Sequence, residues 1–99
     1  MKHAVSEYSN VVAARDQVSS DLGGEVAILN LRAGMYYGLD DVGARVWQLL
    51  QEPTVVGDIQ ATISQEYEVE PTRAREDVLA LLNQMADEGL IEVNDEPSS

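Results

Sequence analysis

The candidate chemistry of this chain lies in its carboxylates, two of its arginines, Arg73 and Arg75, and one histidine, and spacing decides what each can do. His3 has no acidic or nucleophilic partner at a fixed interval, so it offers neither a proton relay nor a metal-ligand set. The adjacent acids Asp40/Asp41 and Glu76/Asp77 could hold a hard cation, but neither pair lies in a loop with the ligand spacing of a calcium site. A helix cap and a solvated helix face account for them better. The chain contains no phosphate-cradling glycine loop, no nucleophile elbow and no HExxH motif. It has no cysteine, which removes thiolate metal sites, disulfides and thiol catalysis together. The expectation is a binding protein without a cofactor, not an enzyme.

The two arginines raise a different chemistry. Val55 to Met85 reads as a helix, a short turn and a further helix that opens with Arg73 and Arg75, the outline of a helix-turn-helix. In a DNA reader those side chains would meet phosphates or base edges. Residues 66–77, however, hold five acids against two bases, and the whole chain carries a formal charge of -12. A phosphate backbone would be repelled by such a surface, so nucleic acid is not an expected partner and a DNA-binding regulator is the lesser alternative.

The elements that must position any site fit one domain. The 99 residues are 44% hydrophobic and include no phenylalanine, so the core is expected from Val, Leu, Ile and Ala around Trp47. No run of about 18 apolar residues and no basic-then-apolar N-terminal segment occurs, so neither a membrane partner nor secretion is expected, and the location read from this is cytoplasmic.

Residues 1–14 carry no sustained period and are expected to be a flexible segment, although Val11 to Ala13 could pack; residues 94–99 form a polar tail and 15–93 the domain. Asp16 to Leu22 alternates as a half-buried strand and closes on the Gly23-Gly24 turn. Glu25 to Leu31 is a stronger strand, Arg32-Ala-Gly34 a short loop whose glycine suits positive φ, and Met35 to Leu39 a third strand. Asp40 and Asp41 then cap a helix that buries Val42, Val46, Trp47, Leu49 and Leu50, with Gly43 allowing close packing. Thr54 is placed to cap a second helix carrying Val56, Ile59, Ile63 and Tyr67 inward. Pro71 opens a third, with Val78, Leu81, Leu82 and Met85 as its stripe and Gly89 as its stop, before Ile91-Glu92-Val93, which either adds a short strand or seals the base. This is an α+β, winged helix-turn-helix-like domain: a three-stranded antiparallel meander followed by three helices.

The stretch AGMYYGLD, residues 33–40, is where this order leaves something unfinished. The third strand has a neighbour on one side only, and Met35 to Leu39 carries no Lys, Pro or charge to blunt the other edge. Alternation sets Met35, Tyr37 and Leu39 on one face and Tyr36 on the other. Such an edge beside a helix suits strand addition by an extended peptide, which needs no catalytic residue. It equally allows weak self-pairing as a dimer.

The run GGEVAILNLRAGMYYGLDDVGARVWQLL, with the spacing to TVVGDIQATISQEYEV and to REDVLALLNQMADEGLI, resembles the PqqD-like family, the leader-recognition elements of ribosomal peptide biosynthesis. The resemblance spans about Asp16 to Val93. It rests on a hairpin into a short aromatic strand ending in Gly-Leu, an acidic cap, Gly43 and Trp47, and, near the end, Asp77-Val78 and Gly89-Leu90. It implies a groove between the third strand and the third helix that takes a precursor's leader peptide. On overall look the chain is most similar to the small proteins of lasso-peptide clusters, which present the precursor to a cysteine-protease-like leader peptidase ahead of a cyclase. A peptide chaperone for a radical S-adenosylmethionine enzyme shares the fold and is the nearest alternative.

Carried onto this chain, the resemblance puts Met35, Tyr36, Tyr37 and Gly38 on the strand side of the groove. For the helix side, about 100° per residue leaves two flanks: Ala74, Asp77, Leu81, Gln84 and Glu88, or Arg75, Leu79, Leu82 and Ala86. The first is preferred because Leu81 offers an apolar floor between the polar Asp77 and Gln84, but spacing alone leaves both open. Binding would tether the precursor so that its cleavage site meets the processing enzyme at raised effective concentration.

Overall fold

A computed structural model describes residues 5–15, 17–21 and 25–94. The expected meander is present as β2 (Gln17–Asp21), β3 (Val26–Asn30) and β4 (Met35–Leu39), preceded by β1 (Asn10–Ala13). Both pairings in the meander are antiparallel, with Leu29 opposite Val18 on one side and opposite Tyr36 on the other. In β3, Val26, Ile28 and Asn30 point inward and are buried, whereas Leu29 is exposed; Ala27, on the Leu29 side, is buried as well. Gly34 closes the β3–β4 turn at φ 68°, a left-handed value that glycine adopts without steric cost. The Gly23-Gly24 turn lies outside the described residues.

The helices α1 (Asp41–Leu49), α2 (Val56–Glu66) and α3 (Pro71–Asp87) follow. Asp40 caps α1, its Oδ1 accepting the Gly43 amide at 2.9 Å. A Cβ on Gly43 would stand 3.3 Å from both Leu39 Cβ and Asp40 Oδ1, so glycine lets α1 begin close against the end of β4. Pro71 occupies the first turn of α3, and Gly89 ends it at φ 74°. The core joins the inner face of the meander to the helices through Ile28, Val46, Leu50, Val56, Ile59, Val78, Leu82 and Met85, all essentially inaccessible.

Two expectations change. The first 14 residues are not all a loose arm: β1 pairs with β6 (Ile91–Asn94) and with the two-residue β5 (Thr54–Val55), building a second three-stranded sheet in the order β5-β1-β6. Val5 and Val11 join the core, and the Val5 amide donates to Asn83 Oδ1 of α3 at 3.0 Å. These contacts link residues far apart in the chain, so no local period announces them.

Thr54, for its part, lies in β5 and does not cap α2. The first amides of that helix, Val56 and Gly57, are met by the Ser9 and Glu7 carbonyls at 3.0 and 2.9 Å. The N-terminal segment therefore does for α2 what a side-chain cap would have done.

Candidate functional site

Among the described residues β4 is the last strand of its sheet, so one row of its backbone N–H and C=O groups has no strand of these residues beside it. α3 stands off from this edge, and the space between them is a groove of about 710 Å³. Tyr36, Tyr37, Gly38 and Leu39 form its strand wall, and Asp77, Leu81, Gln84, Met85 and Glu88 its helix wall. The start of α1, through Asp40, Val42 and Gly43, closes one end, and Leu90 also contributes.

The sequence leaves two flanks of α3 open, and the groove lies on the one that carries Asp77, Leu81, Gln84 and Glu88. The opposite flank is occupied. Leu82 is fully buried, and Arg75 lies beside Glu7 with its carbonyl accepting from Gln60 of α2. Two residues named from the sequence do not line the groove. Ala74 is 1% exposed because it continues the core stripe of Val78, Leu82 and Met85 by one more turn of α3. Met35 is half-exposed at the first position of β4, opposite Asn30, whereas the groove begins at Tyr36 and runs toward α1.

Leu39, Asp40, Val42, Gly43, Met85 and Leu90 enter the lining without having been assigned to the groove from the sequence. Their signal was present in part: Leu39 shares the Tyr37 face of the strand, and Val42 opens the apolar face of α1. Leu39, Val42 and Leu81 are half-buried against the core, so they form an apolar floor that stays accessible from the groove.

Polar contacts hold the two walls in register. The Tyr37 hydroxyl donates to Glu88 Oε1 at 3.2 Å, from the middle of β4 to the end of α3. Burial of the phenol, reinforced by the Glu88 charge and this hydrogen bond, raises the Tyr37 pKa above the ordinary tyrosine value, so the hydroxyl remains a donor. Below it, the buried Asn30 donates through Nδ2 to the Glu88 carbonyl at 3.1 Å and accepts the Arg32 and Ala33 amides at 3.0 and 3.2 Å. One side chain thus ties the β3–β4 turn to the end of α3. Among the described residues, no group of three or more His, Cys, Asp or Glu could hold a metal ion, and no helix is long and apolar enough to cross a membrane.

An open strand edge facing a helix across an apolar floor is an arrangement for holding an extended chain. The family of coenzyme PQQ synthesis protein D (PqqD) matches residues 25–91, from the start of β3 to the start of β6. The chain belongs to the PqqD family. Among solved structures, TbiB1 in complex with the TbiA(beta) leader peptide is similar to this PqqD-family chain at 34% identity and a TM-score of 0.77, covering 82% of this chain and 94% of that one. No curated protein matches the chain. The α+β architecture expected from the sequence, a three-stranded meander followed by helices, is the one observed.

Proposed function

We propose that this protein binds the leader peptide of a ribosomally synthesised precursor as an added strand on β4 and presents the precursor to a leader peptidase and further maturation enzymes. The observation that carries this reading is the groove between an open strand edge and the Leu81 flank of α3, in a chain 34% identical to a protein solved with a leader peptide. Backbone hydrogen bonds to β4 would supply sequence-tolerant affinity, while Leu39, Val42 and Leu81 receive every second side chain of the peptide. Of the residues first assigned to the site, Tyr36, Tyr37, Gly38, Asp77, Leu81, Gln84 and Glu88 act there. Ala74 supports α3 from the core, and Met35 marks the open end of the edge.

Presentation needs a second surface. On the outer face of the meander, Val18, Leu29 and Tyr36 stand opposite one another on three successive strands, 55%, 36% and 69% exposed. Tyr36 also lines the groove, so this apolar row runs into the peptide site, and an added strand would extend it. A cysteine-protease-like peptidase docked there would meet the precursor held beside it, at raised effective concentration. We assign the pathway to the lasso type from the overall resemblance of residues 16–93. A short precursor gene, a peptidase gene and an asparagine-synthetase-like cyclase gene alongside would support it; a radical-enzyme gene instead would move the protein to that pathway.

The α2–α3 pair retains its helix-turn-helix outline, but its arginines face acids. Arg73 lies 3.7 Å from Asp77, and Arg75 lies 3.9 Å from Glu7. This favours the peptide reading over a DNA-binding regulator.

The test is a titration of isotopically labelled protein with the leader half of the precursor encoded nearby, followed by backbone amide shifts. Saturable shifts at Tyr36 to Leu39 and at Asp77 to Glu88 are expected. Shifts confined to α2 and the N-terminal half of α3, or no saturable shifts, would reject the reading.

A further inference from the structure

The groove has a charge pattern as well as a shape. Among the described residues that line it, three are acidic, Asp40, Asp77 and Glu88, and none is basic. Asp40 is committed to the α1 cap, and Asp77 has Arg73 on its own helix. Glu88 differs. Its hydrogen-bond partner, the Tyr37 hydroxyl, is neutral, and no ion pair among the described residues compensates the carboxylate charge. Glu88 is also the C-cap of α3, where carbonyl ends and the helix dipole add negative potential, and the last turn of α3 contains no basic residue.

Taking the leader-binding reading as its basis, we infer that the groove is selective for a leader segment with a Lys or Arg side chain directed at Glu88 and apolar residues two positions to either side. Side chains two apart share one face of a strand, about 7 Å from each other. A basic residue over Tyr37 therefore brings its flanking neighbours over the apolar lining of the same groove. The cation meets the Glu88 carboxylate, and the Tyr37 hydroxyl keeps a place as a second polar contact. An acidic residue at that position would instead face Glu88, the α3 carbonyls and a protein of net charge -12.

Glu88 is exposed, so Glu88→Gln removes the charge and keeps the shape. The probe is the leader half of the encoded precursor, titrated at low and high salt into the wild type, Glu88→Gln, Glu88→Lys and the Tyr37→Phe control. The wild type is expected to bind with affinity that falls as salt rises. Glu88→Gln is expected to bind about fivefold more weakly at low salt with a shallower salt dependence, the size of an exposed ion pair. Tyr37→Phe keeps the salt dependence. Glu88→Lys is expected to prefer a leader whose basic residue at this position is changed to Glu. Saturable wild-type binding that Glu88→Gln leaves unaltered in strength and salt dependence would overturn the selectivity and leave leader binding intact. Failure of the wild type to bind would overturn both.

Discussion

The Tyr37 hydroxyl and the Glu88 carboxylate meet at 3.2 Å across the groove, joining the middle of the open strand to the end of α3. The contact makes a prediction about ionisation. Burial contributes most to the raised Tyr37 pKa, followed by the Glu88 charge and hydrogen bond, so Glu88→Gln should lower it toward the ordinary tyrosine value without restoring it fully. The neutral phenol is the favoured form in the folded protein. Its contribution to stability is therefore present below the ordinary tyrosine pKa and lost as pH rises through the raised one. Ring chemical shifts of Tyr37 followed against pH in both proteins would show this. Identical titrations would mean that the bridge is not formed in solution.

Leu81 and Ala74 lie two turns apart on α3, and their substitutions should fail for different reasons. Leu81 is half-buried on the groove floor, so Leu81→Asp should keep the fold while weakening leader binding about tenfold or more, by placing a charge where apolar side chains rest. Ala74 is packed in the core, and Ala74→Asp should unfold the domain by burying an unpaired carboxylate. Circular dichroism melts beside the binding titration separate the two. A well-folded Ala74→Asp protein with lost binding would instead return Ala74 to the groove.

The outer row should separate binding from presentation. Val18→Glu and Leu29→Glu change exposed positions away from the groove lining, so leader affinity should stay within about twofold, the range of ordinary surface substitutions. Stimulation of leader cleavage by the partner peptidase should fall about tenfold, as expected when apolar contacts at an interface centre are replaced by charge. Unchanged stimulation in both variants would place the docking surface elsewhere.

What was legible in the sequence was local. Met35 to Leu39 was read with the bounds it has, because Gly34 and Asp40 punctuate it with a positive-φ turn and a helix cap. The two α3 flanks followed from helical geometry. Choosing between them required knowing that Val5, Glu7 and Ser9 return to α2 and α3, which is tertiary information. β1 escaped for the same reason, and β6 was read as a strand but without its partner: Val11 finds Val93 across nearly the whole chain. Ala74 was misplaced because an alanine at a flank boundary carries too little hydrophobic signal to show which face it joins.

Asn30 was equally hidden, since a polar residue inside the strand read from Glu25 to Leu31 carries no local sign of the partners its side chain will meet. Its side chain satisfies two turn amides and reaches the Glu88 carbonyl, holding the β3–β4 turn and the end of α3 in one geometry. Asn30→Ala removes these partly buried hydrogen bonds and should cost about 1–3 kcal/mol. Denaturant unfolding measures that loss. Asn30→Asp separates its two roles: the carboxylate can still accept from Arg32 and Ala33, but it cannot donate to the Glu88 carbonyl and places a negative charge beside it. The turn should therefore keep its amide shifts while those around Glu88 move and leader affinity drops, because one wall of the groove loses its tie to the other. If Asn30→Asp binds leader as the wild type does, the position of α3 is set by core packing alone and the Asn30 bridge only stabilises the turn.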